Sequence, residues 1–365
     1  MFKPLTRVDQ AAQALNQGAT SAVQLTESAL ARASQGEGPQ VFTRVFHDSA
    51  LAEARASDSL RAAGLARSPL DGLPISVKDL FDIAGLPTLA GSKLLASAPP
   101  AQQTAQVVQR LRRAGAVIVG STNMTEFAYS GLGLNPHHGT PRNTWARDED
   151  GAGSGRIPGG SSSGAAISVT DGMAIAAIGS DTGGSVRIPS ALNGLTGFKP
   201  TARRVSMQGV LPLSANLDSI GPLAPSVRCC AVIDAVIARR PLPQPLQAAP
   251  LAGLRLLAPT NVVLDGMDTT VAAAWQGALT RLSQAGVQIT EAAVPPFDEL
   301  AQINSKGGFT AAEAWAWHRG YLADRLAEYD PRVGTRILRG KEQSAADYIE
   351  LLAARQRWIA QVKAQ

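Results

Sequence analysis

Two clusters of glycine and serine contain the residues best suited to chemistry in this sequence. The first reads GGSSSGAA over 159–166, and the second reads GSDTGGSVRIPS over 179–190. Both adjoin apolar segments, which is not typical of flexible linkers. In the second cluster, glycines after a strand let successive backbone N–H groups converge on one point, and Ser185 can present its hydroxyl to a carbonyl carbon. A nucleophile beside an oxyanion-binding loop predicts acyl transfer.

A serine nucleophile needs a base, and the sequence offers histidines and lysines for this role. The histidines are His47, His137, His138 and His318, and none has a motif around it. His318 lies in AWAWHRG, where a packed or surface residue is the more common outcome. Lys78 ends the apolar segment PISVK, where burial would lower its pKa and leave it neutral, as in Ser-Lys enzymes. On the residues alone, a strand-end lysine that reaches solvent is the competing interpretation.

The elements that position these loops alternate between strand and helix. Hydrophobic periodicity and capping signals predict helices at 7–34 (interrupted at 16–18), 49–63, 104–114, 164–171, 269–285 and, without strands, over 310–365. Short apolar or β-branched runs predict strands at 74–78, 116–119, 173–178, 254–257 and 287–289. Because strand, helix, strand is the order of a βαβ unit, an α/β sheet covered by helices is expected.

Composition and charge narrow the class of protein. The 365 residues are 45% hydrophobic and 17% charged, which suits one large domain or two smaller ones. The net charge of +5 is spread along the chain, so no nucleic-acid partner is expected. Cys229 and Cys230 are adjacent and predict neither a disulfide framework nor a zinc site. Without a leader pattern or an 18-residue apolar run, a soluble cytoplasmic protein with no membrane partner is expected.

Four segments resemble the amidase signature family, in the order that the family has them. They are PLDGLPISVKDLFDIAGLPTLAGS, GAVIVGSTNMTEFAYSG, PGGSSSGAA and GSDTGGSVRIPSALNGLTGFKPT. The resemblance implies the amidase signature fold, an α/β fold with a central mixed β-sheet flanked by helices on both faces. It also implies a single domain over 1–365, with N-terminal helices at 1–70, a catalytic core at 71–235 and a C-terminal part at 250–365. Family members usually continue further, so an incomplete C-terminal part is expected.

The resemblance also assigns the site residues. It implies Lys78 as the base, Ser161 as the proton relay after a cis Gly160–Ser161 bond, and Ser185 as the nucleophile, which lies 24 residues after the relay. The oxyanion hole is expected from the backbone N–H groups of Thr182, Gly183 and Gly184, together with that of Ser185. Positions that support the site are Ser162, Asp181 and Arg187. No metal or cofactor is expected.

The predicted function is hydrolysis of the C–N bond of a small linear carboxamide, not a peptide bond, through an acyl-enzyme, with a homodimer left open. The glutaminase (A) subunit of a tRNA-dependent amidotransferase would use the same triad, although GLGLNPHHGTPRN is closer to free-standing amidases. Residues 160–164 also fit the G-x-S-x-G nucleophile elbow of α/β-hydrolases, but no buried strand is predicted before them. A non-catalytic, truncated homologue is the remaining alternative.

Overall fold

The computed structural model of the chain describes residues 5–145, 147, 155–243 and 246–365. The chain divides into a larger unit, Met1–Gln244 with Glu313–Ile337, and a smaller unit, Pro245–Ala312 with Leu338–Gln365. The prediction of one domain over 1–365 stays a prediction. No helix among the described residues is long and apolar enough to cross a membrane.

The strands form two separate sheets, one in each unit. The strands are β1 (Phe42–Val45), β2 (Pro74–Lys78), β3 (Val117–Thr122), β4 (Ala176–Asp181), β5 (Thr196–Gly197), β6 (Ser219–Ala224), β7 (Arg255–Pro259) and β8 (Gln288–Ala292). The first six form the sheet of the larger unit, and the last two form that of the smaller unit.

Helices connect and flank the strands. In chain order they are α1 (Val8–Asn16), α2 (Ala22–Ala33), α3 (Gly38–Val41), α4 (His47–Ala62), α5 (Gln106–Arg113), α6 (Ser163–Thr170), α7 (Arg187–Leu192), α8 (Val227–Ile237), α9 (Thr269–Gln284), α10 (Leu300–Ile303), α11 (Gly308–Arg325), α12 (Pro331–Leu338) and α13 (Ala345–Lys363). Short 3₁₀ turns occupy Lys93–Leu95, Glu126–Ala128, Pro295–Glu299, Leu326–Glu328 and Arg339–Glu342.

The six-stranded sheet is mixed, with the order β1-β3-β2-β4-β6-β5. Its centre is parallel, since β2 pairs in parallel with both β3 and β4, whereas β1, β5 and β6 are antiparallel to their neighbours. The crossovers through α5 and α6 run in opposite directions along the sheet. Because such connections are right-handed, the two helices cover opposite faces. The predicted α/β class with a mixed central sheet is confirmed.

Strands β2, β3 and β4 end at one edge of this sheet. Their last residues are Lys78, Thr122 and Asp181. Behind this edge, the small residues of α6 allow close packing on β4, and Ala165, Ala166, Val169, Ala177, Val186 and Leu223 form a buried apolar cluster. The carboxyl edge of the parallel strands is the usual place for a ligand site in such sheets.

Most predicted elements are confirmed within a few residues, including β2. The strand predicted at 173–178 instead begins at Ala176, because the N–H groups of Met173 and Ala174 turn back to the carbonyl of Ser168. Sequence reasoning missed β1, β5 and β6. In the smaller unit the predicted strand-helix-strand order is confirmed, since parallel strands β7 and β8 flank α9.

Candidate active site

Lys78, the last residue of β2, is completely buried at the carboxyl edge of the sheet. Its Nζ donates to Ser161 Oγ at 2.7 Å and to Ser180 Oγ at 2.8 Å. Burial lowers the pKa of Lys78 to about 7, although the negative charges of Asp218 and Asp181 act in the opposite direction. Because the pKa lies near neutrality, Lys78 is able to act as a base there.

Ser161 lies in the loop that leads into α6, and its peptide bond with Gly160 is cis, as the resemblance predicted. A side chain at position 160 would bring a Cβ within 2.6 Å of the backbone nitrogen of Gly133, so only glycine fits. The carbonyl of Ser161 accepts the Thr125 N–H at 3.1 Å. These contacts hold the loop so that the Ser161 hydroxyl meets the Lys78 amine.

Ser185 lies just before α7 and is only 7% exposed. Its carbonyl accepts the N–H of Ser162 at 3.3 Å, so the two glycine-serine loops are adjacent. Ser162 also donates its hydroxyl to the carbonyl of Ser180 at 3.4 Å. The Ser185 hydroxyl makes no hydrogen bond with any of the described residues. The structure therefore joins Lys78 directly to Ser161 and brings Ser185 to the same loops without a hydrogen bond between the two serine hydroxyls.

The loop between β4 and α7 is organised by the buried carboxylate of Asp181. This carboxylate accepts the N–H groups of Gly184 at 2.8 Å and Val186 at 3.1 Å, and it binds the Arg187 guanidinium through two hydrogen bonds at 2.9 and 3.0 Å. Burial would raise the pKa of Asp181, but the hydrogen bonds from Arg187 and Val186 outweigh it and lower that pKa. Asp181 is therefore an ionised anchor around which the loop turns.

The predicted oxyanion hole is only partly available. Because the Gly184 N–H already donates to Asp181, it is not free in this structure, and the assignment of the oxyanion hole stays a prediction. The N–H groups of Thr182, Gly183 and Ser185 donate to no group among the described residues. Gly184 instead contributes its backbone conformation, with φ of 130°, which side-chain-bearing residues rarely adopt.

Sequence reasoning missed two polar residues of this site. Ser180 accepts the second hydrogen bond from Lys78, and Asp218 accepts the Thr182 hydroxyl. Ser180 stands inside the glycine-serine cluster, where its position next to Asp181 on the strand was the available signal. Asp218 precedes β6, which was not predicted, so nothing in the sequence placed it beside the cluster.

His318, the histidine weighed as an alternative base, is 1% exposed and lies on α11. Its Nδ1 hydrogen-bonds the Tyr329 hydroxyl at 2.9 Å, and the rings of Phe127 and Trp317 lie 4.3 and 4.4 Å from its ring centroid. Burial lowers the pKa of His318 to about 3, so the imidazole is neutral and packed. Its interpretation as a packed residue is supported.

None of the remaining histidines hydrogen-bonds a residue of the two glycine-serine loops within the part of the chain that the structure describes. His137 Nε2 lies 2.9 Å from the buried carboxylate of Glu126, the pKa of His138 is lowered by burial, and His47 is exposed at the start of α4. No strand precedes the G-x-S-x-G segment within the described residues 155–159, so the context of a nucleophile elbow is absent there.

Comparison with curated proteins finds relatives among C–N-cleaving enzymes. The chain is 39% identical over 313 residues to a 2-amino-5-chloromuconic acid deaminase from Comamonas testosteroni, covering 84% of this chain and 66% of that protein. It is 40% identical to the glutamyl-tRNA(Gln) amidotransferase A subunit of Chloroflexus aggregans, covering 94% and 75%. The chain thus spans about two thirds to three quarters of the length of these relatives.

A solved amidase structure has the same fold as this chain. An amidase crystal structure superposes with a TM-score of 0.87 at 34% sequence identity, covering 98% of this chain and 79% of the other. The family model described as "Amidase" matches residues 24–364, which is nearly the whole chain. The family comprises amidase signature enzymes that hydrolyse C–N bonds. The chain belongs to the amidase family.

Proposed function

We propose that the chain hydrolyses the C–N bond of a small carboxamide through an acyl-enzyme on Ser185, with Ser161 as proton relay and Lys78 as base. The observation that carries the proposal is the 2.7 Å contact between the buried Lys78 amine and the Ser161 hydroxyl. A lysine whose pKa burial has lowered to about 7 is neutral often enough to accept a proton.

In the proposed first half-reaction, neutral Lys78 takes the proton of Ser161 while Ser161 takes the proton of Ser185. The Ser185 oxygen then attacks the amide carbon. The carbonyl oxygen becomes an oxyanion facing the free N–H groups of Thr182 and Gly183 with that of Ser185. Collapse of this intermediate breaks the C–N bond, and the proton returns through Ser161 to the leaving amine.

In the second half-reaction, water replaces the amine. It gives its proton through the same relay, attacks the acyl carbon and releases the carboxylic acid, which regenerates the Ser185 hydroxyl. The Asp181 carboxylate and the Arg187 guanidinium hold the loop that carries Ser185, and Ser162 joins the two loops. These three residues position the reacting groups without touching the substrate in this proposal.

A second candidate is hydrolysis of glutamine to supply ammonia to a partner, because several relatives at 37–40% identity are glutamyl-tRNA(Gln) amidotransferase A subunits. The same triad serves both reactions, so the site chemistry does not separate them. Activity on linear amides in preference to peptide bonds, homodimerisation and a cytoplasmic location stay predictions.

Ammonia release over a panel of amides tests the proposal. The panel contains glutamine, aliphatic and aryl primary amides, a urea-like amide and a peptide amide, each with wild type and with Ser185→Ala. We expect turnover of at least one small amide and its loss in Ser185→Ala, while Ser59→Ala on exposed α4 keeps wild-type rates. Wild-type turnover by Ser185→Ala would rule out Ser185 as the nucleophile. Turnover of glutamine alone would favour the second candidate.

A further inference from the structure

Asp218 is an acidic side chain, 8% exposed, that directly precedes β6 in the larger unit. Its Oδ1 accepts the hydroxyl of Thr182, the first residue after β4. Its Oδ2 accepts the N–H groups of Leu213 at 2.9 Å and Ser214 at 3.0 Å. One carboxylate therefore binds both the loop after β4, which carries the free N–H groups of Thr182, Gly183 and Ser185, and the turn at 213–217.

The same turn is held from its other side by Glu313 of α11. The Glu313 carboxylate accepts the Ser214 hydroxyl at 2.6 Å, and it also accepts the backbone N–H and the side-chain amide of Asn216. The hydrogen bonds run without interruption from Thr182 through Asp218 and the turn to α11. A displacement of Asp218 would therefore reach the loop beside Ser185.

The charge of Asp218 is also distinctive at this edge of the sheet. Asp181 and Asp218 are the two carboxylates whose charges act on Lys78. Asp181 forms an ion pair with Arg187, whereas Asp218 has no ion pair among the described residues. Glu313 faces the 213–217 turn, and Arg187 extends toward solvent with its side chain 52% exposed. Burial raises the pKa of Asp218, while its hydrogen bonds with Thr182, Ser214 and Leu213 and the charge of Lys78 act in the opposite direction. When ionised, Asp218 adds a negative charge near the base that no ion pair among the described residues offsets.

We infer that Asp218 is a positioning residue of the acyl-transfer site, which ties Thr182 to the 213–217 turn and presents a negative charge to Lys78. This inference rests on the proposed amidase function. The network gives Asp218 two separable effects. Its hydrogen bond to Thr182 holds the loop between β4 and α7, which affects kcat. Its charge favours the protonated form of Lys78, which affects the pH at which activity appears.

The two effects predict opposite changes in Asp218→Asn. Removing the negative charge lowers the Lys78 pKa further, so the acid limb of kcat/KM should move to lower pH. Loss of the charged acceptor loosens Thr182, so plateau kcat should fall by roughly 10-fold with little change in KM. A residue that only supported the fold would lower activity without moving the limb.

Matched variants complete the experiment on the full chain. Asp234→Asn removes another largely buried carboxylate of the same unit, one that pairs with Arg204 away from Lys78, and should keep the wild-type profile. Thr182→Val deletes the hydroxyl that Asp218 binds and should lower kcat, whereas Thr182→Ser restores the hydrogen bond and should restore kcat.

The outcomes separate this inference from the proposed function. An acid limb in Asp218→Asn that coincides with that of wild type overturns the inference, whatever the kcat. Equal rates for Thr182→Val and Thr182→Ser overturn it independently, so the inference stays testable even if Asp218→Asn fails to fold. If Ser185→Ala retains activity on the same amide, the proposed function fails. If Ser185→Ala is inactive but the acid limb of Asp218→Asn coincides with that of wild type, only the role of Asp218 fails.

Discussion

Lys78 and His318 are both buried bases, and their surroundings differ. Burial lowers the pKa of Lys78 to about 7 and that of His318 to about 3. Lys78 donates to two serine hydroxyls at one edge of the sheet. His318 bonds a tyrosine hydroxyl and lies against aromatic rings. Both side chains are able to lose their charge, yet only Lys78 touches a hydroxyl of the glycine-serine loops.

The comparison shows that a lowered pKa alone does not make a buried side chain suitable as a catalytic base. The pKa of a catalytic base should lie near the working pH, and the base must reach the proton that it abstracts. His318 fails both conditions, because a pKa of about 3 makes it a weak proton acceptor and its partner is Tyr329. Lys78 meets both.

Substitution of the two bases gives the largest expected contrast. Lys78→Ala and Lys78→Arg should each lower kcat/KM by about 1,000-fold or more, because neither side chain accepts a proton near neutral pH. His318→Phe should stay within about 3-fold of wild type, since it keeps the aromatic packing. Steady-state kinetics with the best amide of the panel measures both. An active Lys78→Arg enzyme, or an inactive His318→Phe enzyme that is still folded, would reverse the assignment.

The pH dependence of kcat/KM also distinguishes Lys78 from His318 as the base. Because Lys78 has a pKa of about 7 and works only when neutral, kcat/KM should rise through pH 7 and level off about one unit above it. A base with the pKa of His318 would give a flat profile over this range. The measurement is kcat/KM from about pH 5.5 to about pH 9.5, a range that brackets the titration of Lys78.

Asp79 provides the control for that profile, because burial raises its pKa to about 7 as well. Its carboxylate accepts the Gly91 N–H at 3.5 Å, and Thr43 also hydrogen-bonds it, so these contacts hold it away from the Lys78 amine. Asp79→Asn should therefore leave the acid limb in place. Loss of the limb in this variant would assign it to Asp79.

Ser180 is the second hydrogen-bond partner of Lys78, and its removal tests whether it positions the amine. Removing its hydroxyl with Ser180→Ala leaves Lys78 with one hydrogen-bond partner, so the amine should sample positions away from Ser161. We expect kcat to fall by roughly 10-fold with KM nearly unchanged, as for loss of a group that orients the base. Ser76→Ala is a matched control, because Ser76 is also buried on β2 but bonds Ser168. Equal effects of the two variants would contradict the positioning of Lys78 by Ser180.

The smallest expected effect is on stability. The folded-state pKa of Lys78, about 7, lies below its ordinary value of 10.5, so the unfolded chain binds the extra proton between these values. Lys78 therefore costs stability most below pH 7, and the cost declines as pH rises toward 10.5. Lys78→Met should raise Tm by a few degrees at about pH 6 and by less at about pH 9. Thermal unfolding at both pH values tests this, and an equal change of Tm at both would contradict it.

Much of the fold followed from local patterns. Strand β2 was predicted from a short β-branched run and helix α6 from its small residues, and both elements are buried along almost their whole length. Strand β6 was missed because Gly221 and Pro222 argue against a central strand, yet β6 pairs with β4 across Ile178 and Pro222. Strand β1 was missed because its four residues give too short a pattern. These strands depend on long-range pairing, which local sequence does not record.

The residues of the candidate site also fall into two groups, those predicted from local motifs and those that depend on long-range contacts. Lys78, Ser161 and Ser185 were predicted because they lie in motifs that resemble a known family, and the structure brings Lys78 into contact with Ser161. Asp218 and Ser180 were missed, since Asp218 meets Thr182 only through the pairing of β4 with β6. The occupied N–H of Gly184 was also beyond reach, because it depends on the side-chain rotamer of Asp181.

The most direct test of the central claim is covalent labelling of the nucleophile. Wild type, Ser185→Ala and His318→Phe are treated with a fluorophosphonate, and the modified residue is located by tandem mass spectrometry of the peptide that contains Ser161 and Ser185. We expect one adduct on Ser185 in wild type and His318→Phe, and none on this peptide in Ser185→Ala. An adduct on Ser161, or labelling that requires His318, would contradict the Ser185, Ser161 and Lys78 mechanism.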